Sequence, residues 1–297
     1  MTRIERVLAP NPGVYTLEGT NTWVVGAGLC TVIDPGPAYE SHLREVARTA
    51  GEVAYVLVTH DHGDHAEGAA AFAAMVGAPL HAARVRGAEP LADGAIFAAG
   101  GATLRAVATP GHSADHVAFF EPAAGALFTG DAVLGRGTSF IDPPDGDLAV
   151  YLVSLDTMDA LGARTIYPGH GPVVVDAASK LREYRAHRAE REQQVLAGLE
   201  VGGQAVADLV DAIYVAYPAE VKPLAARSVT AHLLKLEADG RVERHGHGAA
   251  QRWTLATPKA CARCGRAMTG AGTYCRRCLV SMLQGAGAAE ASVLDQP

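Results

Sequence analysis

The sequence lacks long apolar runs, and before its last 40 residues it contains a single cysteine, Cys30. No stretch approaches the roughly 20 consecutive apolar residues that a membrane-spanning helix needs, so no membrane span is expected. Residues 1–10 carry no apolar segment after their charges, which argues against a secretory signal. The other four cysteines lie close together near the end, which favours metal ligation over a disulfide framework. We therefore expect a reducing, cytoplasmic location.

The charge distribution is uneven along the chain. The 297 residues, 49% of them hydrophobic, suffice for a sizeable core and for more than one domain. Between Lys222 and Cys278 there are 11 Lys/Arg and 3 Asp/Glu, a balance of +8, whereas the remainder has 14 and 29, a balance of −15. The two sum to the net charge of −7. The basic C-terminal region fits polyanion binding, and it fits equally well the solubility of small appended domains.

An apolar β run at residues 56–58 leads directly into a turn that carries four donors of the metal-binding type. These donors are His60, His62, Asp64 and His65. Imidazole nitrogen and carboxylate oxygen are ligands that zinc prefers. Because a buried strand holds its last residues rigidly, a metal site explains the pattern better than a histidine-rich surface loop does.

Three further apolar runs each end in a turn with a histidine or an aspartate. His112 follows the run 104–109 and a Pro-Gly pair, and Asp131 follows the run 126–129 and a glycine. His170 follows residues 165–167 and a second Pro-Gly pair. The repetition predicts a site at one rim of a sheet assembly.

The remaining pattern predicts strands and helices around these turns. Strands are expected at 14–17, 22–25, 30–33, 80–82 and 117–120, and helices at 41–49, 66–76 and 176–200. The sequence Asp34-Pro-Gly-Pro is expected to close the strand that contains Cys30, itself expected in the core. Arginines at three-residue steps, Arg182, Arg185, Arg188 and Arg191, alternate with glutamates and predict a solvated, salt-bridged helix face.

The C-terminal third has a different pattern. Helical apolar spacing at 205–217 and 225–237, followed by β-prone runs at 242–244 and 252–255, predicts a winged-helix-like domain. Two Cys-x-x-Cys pairs predict a closed, structural zinc ribbon of four thiolates, with ligands Cys261, Cys264, Cys275 and Cys278. The predicted domains are 1–200 (catalytic), 201–257 (winged-helix-like), 258–282 (zinc ribbon) and 283–297 (flexible tail).

The ordered donors closely resemble the signature of the metallo-β-lactamase superfamily, a His-x-His-x-Asp-His run followed by a single His, a single Asp and a single His. The resemblance covers about residues 10–195 and implies an α+β fold, a four-layer αβ/βα sandwich. The motifs Asn11-Pro12-Gly13, Thr109-Pro110-Gly111-His112 and Tyr167-Pro168-Gly169-His170 look like those of the beta-lactamase-like protein 2 group. Characterised members of that group are endoribonucleases that act on single-stranded RNA.

The resemblance also implies the roles of the site residues. His60, His62 and His112 would hold one Zn²⁺, Asp64, His65 and His170 a second, and Asp131 would bridge the two. Two such ions would activate a bridging water as the nucleophile. Asp64 and His116 are the candidate catalytic residues, with His116 expected as a support of the ligands or as a proton donor.

Several branches of the superfamily fit the sequence poorly. Exported β-lactamases commonly have Cys at the position of Asp131, flavodiiron relatives have Glu at that of His62, and residues 131–170 are too few for the inserted β-CASP domain. We favour hydrolysis of single-stranded RNA, with glyoxalase II-like hydrolysis of a small thioester or ester as the alternative. A third, non-enzymatic hypothesis is a ligand-sensing DNA-binding protein. A homodimer is left open.

Overall fold

The computed structural model describes residues 2–257, 259–260, 262–265, 267–268 and 277–281. By their internal contacts the residues separate into two compact units, Met1–Glu190 and Arg191–Pro297, and the division falls inside the long helix Ala177–Leu199. None of the helices in the described ranges is long and apolar enough to cross a lipid bilayer.

The first sheet of the N-terminal unit contains six strands in chain order: Ile4–Leu8, Asn21–Val25, Leu29–Ile33, Glu52–Leu57, Leu80–Ala82 and Glu89–Pro90. The first three strands pair antiparallel, and the later pairings are parallel. Parallel neighbours need a crossover, which the helices Glu40–Ala50 and Ala69–Val76 supply. Ile33 lies opposite Leu57, so both strands end at the same edge of the sheet.

The second sheet has five strands in the order Thr165–Pro168, Ala126–Gly130, Val117–Glu121, Ala102–Ala108 and Ile96–Ala99. The first pair is parallel and the others are antiparallel. The helix Leu148–Ala160 lies in the parallel crossover. The two parallel strands therefore end together, directly before Asp131 and His170.

Two cores explain the layering of this unit. One lies between the sheets and includes Trp23, Leu57 and Phe128, and the other packs the first sheet against its helices through residues such as Phe72. The second sheet is also buried on its outer face, and the helix Leu148–Ala160 buries Tyr151. The order helix, sheet, sheet, helix is the predicted four-layer αβ/βα sandwich, and this prediction is confirmed.

Some local predictions for the N-terminal unit are wrong. Residues 14–17 form a turn rather than a strand, because Gly13 and Leu17 close it and Leu17 adopts a φ of 55° that strands do not tolerate. The expected helix at 66–76 is interrupted, with one turn at Gly63–Ala66 and a second helix at Ala69–Val76. The pattern also missed the strand Ile4–Leu8.

Two helices departed from expectation in other ways. Leu148–Ala160 was not predicted, although Asp147 caps it by accepting the backbone N–H groups of Ala149 and Val150. On Ala177–Leu199 the arginine stripe is not uniformly solvated, since Arg188 and Arg191 are only 5% and 8% exposed. The prediction of a solvated face is wrong for these two residues.

The C-terminal unit contains the helices Val206–Ile213 and Lys222–Ala238, followed by the antiparallel hairpin Val242–His245 and Arg252–Leu255. A core that includes Leu233 and the fully buried Trp253 holds these elements together. Two helices followed by a two-stranded wing form the predicted winged helix, and the prediction is confirmed.

The zinc ribbon remains a prediction. Lys259–Ala260 pairs antiparallel with Ala267–Met268 in this region. Cys264 is exposed and Cys278 is buried, whereas the predicted ligands Cys261 and Cys275 lie outside the described residues. The predicted flexible tail, 283–297, also lies outside them.

Candidate metal centre

Four strand ends from the two sheets deliver the predicted donors to one place. The turn with His60 follows Glu52–Leu57, and the other donors follow Ala102–Ala108, Ala126–Gly130 and Thr165–Pro168. The structure brings all seven together in two groups: His60, His62, His112 and Asp131 in one, and Asp64, His65 and His170 in the other. The donor atoms within each group lie within 4.8 Å of one another.

The distances inside each group suit a metal ion. Nδ1 of His62 lies 3.0 Å from Nε2 of His60 and 3.2 Å from Nε2 of His112. In the other group, Nε2 of His170 lies 3.2 Å from Nε2 of His65 and 3.0 Å from Oδ2 of Asp64. Zinc–nitrogen bonds of about 2.0–2.1 Å place tetrahedral ligands about 3.3–3.4 Å apart, close to these values. The residues therefore fit the metal that the fold implies.

Asp131 lies between the two groups. Its Oδ1 is 3.3 Å from Nε2 of both His65 and His170. Its Oδ2 faces the first group, 3.8 Å from Nε2 of His112. One carboxylate with its two oxygens directed at different donor groups is the arrangement that a binuclear centre requires.

The second ring nitrogen of each Nε2 donor contacts an oxygen. Nδ1 of His112 lies 2.7 Å from the carbonyl of Phe140, and Nδ1 of His170 lies 3.1 Å from the carbonyl of Gly19. A carbonyl can only accept, so both rings carry their proton on Nδ1. In the neutral form of each ring Nε2 is then free to bind a metal, and such supports fix the orientation of the ring.

Asp34 supports one histidine in each group. Its Oδ2 accepts from Nδ1 of His65 at 2.9 Å and from the Thr59 hydroxyl at 2.8 Å. Its Oδ1 accepts from the Thr59 backbone N–H at 2.7 Å. Because the Thr59 hydroxyl donates to Asp34, it accepts from Nδ1 of His60, 3.0 Å away. Asp34 therefore orients His65 directly and His60 through Thr59.

The electrostatics of the two groups differ. Burial opposes the charged form of His65, yet neighbouring carboxylates, Asp64 foremost, raise its pKa well above the usual value. Burial likewise opposes the charge of His170, but Asp131 foremost raises its pKa to about 9. Burial, with neighbouring histidines, lowers the pKa of His60 well below the usual value. The group of Asp64, His65 and His170 thus contains protonated histidines beside carboxylates in the metal-free protein. His60 in the other group is neutral and can bind a metal without losing a proton.

Glycines let the ligand turns approach closely. A Cβ on Gly169 would lie 2.7 Å from both Oδ1 of Asp131 and Cε1 of His65. A Cβ on Gly111 would lie 2.4 Å from the backbone of Tyr151. Real Cβ atoms do not approach so closely, so the residues before His170 and His112 must be glycine.

His116, a predicted catalytic residue, lies outside both donor groups. His116 is 1% exposed, and its ring lies behind that of His60 at a centroid distance of 5.2 Å and an interplanar angle of 35°. Its Nδ1 lies 2.9 Å from the hydroxyl of Thr109. Burial, together with the charge of neighbouring histidines, lowers the pKa of His116 well below its usual value.

Asp34, Thr59 and the carbonyl of Phe140 support the ligands without having been predicted to do so. A signal existed for Asp34, since it follows an apolar strand just as Asp131 does. The Pro-Gly-Pro that follows it led to its interpretation as a turn residue. A carbonyl group has no sequence signal, because every residue carries one.

Comparison with known proteins identifies the family. The profile of the metallo-beta-lactamase superfamily matches residues 15–170, and that of the beta-lactamase associated winged helix domain matches residues 205–253. Atrochrysone carboxyl ACP thioesterase of Aspergillus chevalieri is 36% identical over 271 residues, which cover 85% of this chain and 87% of that protein. A beta-lactamase-like protein 2 homolog of Caenorhabditis elegans is 35% identical over 257 residues, covering 81% and 86%.

A solved structure has the same fold over most of the chain. The metallo-beta-lactamase family protein from Thermus thermophilus superposes with a TM-score of 0.72 at 24% identity, covering 85% of this chain and 98% of that one. The superfamily profile spans more than half of the chain and includes all seven donors. The chain therefore belongs to the metallo-beta-lactamase superfamily, as a metal-dependent hydrolase.

Proposed function

We propose that the protein hydrolyses an acyl thioester at a centre of two zinc ions. The observation that carries the reaction type is the position of Asp131, whose two oxygens face different donor groups. The ligands would be His60, His62 and His112 for one ion and Asp64, His65 and His170 for the other, with Asp131 between them. Histidine and carboxylate donors suit zinc. When bound, the ions would supply a water of lowered pKa and polarise the scissile carbonyl.

The thioester is supported by a relative. A protein that is 36% identical over 85% of this chain is named an ACP thioesterase. On the strength of this similarity we rank thioester hydrolysis above the RNA cleavage that the sequence alone favoured.

The rim beside His112 fits an apolar acyl group. Val14 and Tyr15 are 79% and 59% exposed. The Tyr15 ring lies 6.0 Å from the ring of Phe140, whose carbonyl accepts from His112. Exposed apolar and aromatic side chains next to a polar centre are typical of a binding site for an apolar substrate group.

The charges around the centre disfavour a phosphate backbone. Arg136 pairs with Glu18 at 2.7 Å, and Arg84 pairs with Asp145 at 2.9 Å, so carboxylates already balance both arginines. Residues 1–190, the unit that contains the centre, have 13 Lys/Arg and 22 Asp/Glu. Because nucleic acid binding depends on neutralising phosphates with basic residues, this unit suits a neutral thioester better.

Asp64 and His116 receive different roles. The Asp64 side chain is 27% exposed, against 14% for Asp131, so Asp64 is the ligand carboxylate that can exchange protons with solvent. It is therefore our candidate for taking a proton from the attacking water and passing it to the leaving thiolate. The burial of His116 behind His60 favours a supporting role over proton donation.

A thiol-release assay tests the proposal. The zinc-loaded protein is incubated with acetyl- and octanoyl-pantetheine thioesters, and the free thiol is followed with a thiol-reactive dye. We expect metal-dependent turnover that is lost in the double variant Asp64→Ala, His65→Ala. Tyr15→Ser should raise KM for the octanoyl substrate more than for the acetyl substrate. Met75→Ser, which removes another exposed apolar side chain, is the matched control and should change neither value.

Cleavage of single-stranded RNA is the second candidate. The beta-lactamase-like protein 2 homolog and the balance of +8 in Lys222–Cys278 favour it. Labelled single-stranded RNA is therefore assayed beside the thioesters with the same double variant. RNA cleavage that depends on Asp64 and His65, without thioester turnover, would overturn the thioester proposal.

A further inference from the structure

One segment of the N-terminal unit, residues 131–140, contains one candidate ligand and contacts two others. It begins with Asp131, and the backbone N–H of Gly135 donates to the carbonyl of His170 at 2.9 Å. At its other end, the carbonyl of Phe140 accepts from Nδ1 of His112 at 2.7 Å. The end of the segment therefore positions His112, whereas its start carries Asp131, the residue between the two donor groups.

Helical side chains hold the backbone of this segment. The Tyr151 hydroxyl donates to the carbonyl of Ala132 at 2.6 Å, and the Tyr184 hydroxyl accepts from the N–H of Leu134 at 2.8 Å. Nη2 of Arg188 donates to the carbonyl of Ser139. The two tyrosines act near Asp131. Arg188 acts one residue before Phe140, and the Ser139 hydroxyl itself lies 3.3 Å from Nδ1 of His112.

The Arg188 side chain is a buried cation that contacts the neutral groups of Ser139 and Tyr151. It is 5% exposed and lies over the Tyr151 ring at 5.5 Å. Among the described residues, its Nε has no hydrogen-bond partner. A buried charge of this kind is unfavourable for stability, and an apolar residue of similar size would pack there at lower cost. The hydrogen bond to the Ser139 carbonyl is a contact that an apolar residue could not make.

We propose that Arg188 is a positioning residue for the metal centre. By holding the Ser139 carbonyl, it fixes the turn in which the Phe140 carbonyl accepts the Nδ1 proton of His112. That contact directs Nε2 of His112 at the first donor group. The inference rests on the proposed ligand set but not on the proposed substrate, because it concerns metal binding alone.

Competition with a fluorescent chelator tests the role, since it resolves the two binding steps for Zn²⁺. We expect Arg188→Met to weaken the step that depends on His112 by about 10- to 100-fold, the usual effect of removing a support of a metal ligand. The other step should keep the wild-type affinity. His112→Gln shows which step depends on that ligand. Arg182→Met, on the exposed side of the same helix, is the matched control and should bind both ions as the wild type does.

In the metal-free protein, the protonation of the His112 ring can be measured, and a general structural defect would not change which ring nitrogen carries the proton. The ¹⁵N shifts of the His112 ring report which nitrogen carries the proton. The wild type should show the Nδ1–H form, and Arg188→Met should show a mixture with Nε2–H. Arg188→Lys keeps a charged donor, so it should restore part of the affinity and of the Nδ1–H signal, and it replaces the methionine variant if that variant does not fold.

Two results would overturn the proposal. One is wild-type affinity for both ions in Arg188→Met together with an unchanged His112 ring. The other is an equal loss at both steps that follows the loss of thermal stability, because that would mark Arg188 as a general packing residue. The outcome is independent of the thioester assay, so failure of one proposal does not imply failure of the other.

Discussion

Replacing Asp34 by asparagine should weaken both metal-binding steps at once. Asp34 accepts three hydrogen bonds, two from Thr59 and one from His65. Through the Thr59 hydroxyl it also orients His60. Since His60 and His65 belong to different donor groups, a single substitution reaches both.

The magnitude follows from the three donors. Asparagine offers one oxygen and one NH₂ group, and the orientation with the fewest clashes keeps the oxygen toward His65 and turns the NH₂ group against the Thr59 backbone N–H. One unsatisfied buried donor costs about 1–3 kcal/mol. Losing the carboxylate behind the histidines should lower each metal affinity by about 10- to 100-fold, or about 1.4–2.8 kcal/mol. Asp34→Ala would leave all three donors unpaired, about 3–9 kcal/mol in total, which is comparable to the stability of a whole domain.

Asp34→Asn is therefore the informative variant, and chelator competition with Zn²⁺ is the assay. The matched control is Asp147→Asn, because Asp147 caps the helix Leu148–Ala160 and asparagine caps about as well. Urea unfolding of the metal-free proteins gives the stability change independently of metal. Loss of stability with both zinc affinities unchanged would refute the reasoning, since Asp34 would then serve the fold alone.

Three further predictions concern close packing, protons and the second unit. Gly169→Ala should abolish binding of at least one ion, because its Cβ would lie 2.7 Å from Oδ1 of Asp131. Gly63→Ala, with open space around it, should leave the metal content at the wild-type value. Zinc addition at pH 7.5 should release protons. The pKa of His170 is about 9, so at pH 7.5 this histidine is protonated and must lose a proton to bind metal. Calorimetry in buffers of different ionisation enthalpy measures the proton release. Trp253→Ala should destabilise the winged helix by about 3–5 kcal/mol, as measured by hydrogen exchange of its amides.

The meeting of the candidate ligands could be predicted from the sequence because each lies in a turn that follows a short apolar strand. Parallel strands such as Ala126–Gly130 and Thr165–Pro168 end at the same edge, so donors placed after them must meet. The fold class followed from the same ligand pattern through its family resemblance. The division of the donors into two groups came from that resemblance as well, since spacing alone does not show which donors face one another.

Local errors arose where tertiary contacts override local preference. Residues 14–17 look β-prone, but they turn because Thr16 donates its hydroxyl proton to the Asn11 carbonyl and Leu17 takes a positive φ. The helix Leu148–Ala160 has apolar residues on several faces, so the helical periodicity of its apolar residues is weak. Asp147 is nevertheless a residue type that commonly caps helices. In both cases the decisive contact lies outside the pattern that was used to predict the element.

The supports of the centre differ in how far they could be foreseen, and strand pairing explains the difference. Asp34 follows Ile33, which lies opposite Leu57, and two residues separate Leu57 from His60. Once the parallel pairing of these strands is assumed, the sequence alone places Asp34 beside the ligands. Arg188 has no such route, because its contact with Ser139 depends on how a distant helix packs. A support such as Asp34 can therefore be predicted where a strand that ends in aspartate pairs in parallel with a strand that leads into a histidine-rich turn. A support such as Arg188 can be recognised only from the structure.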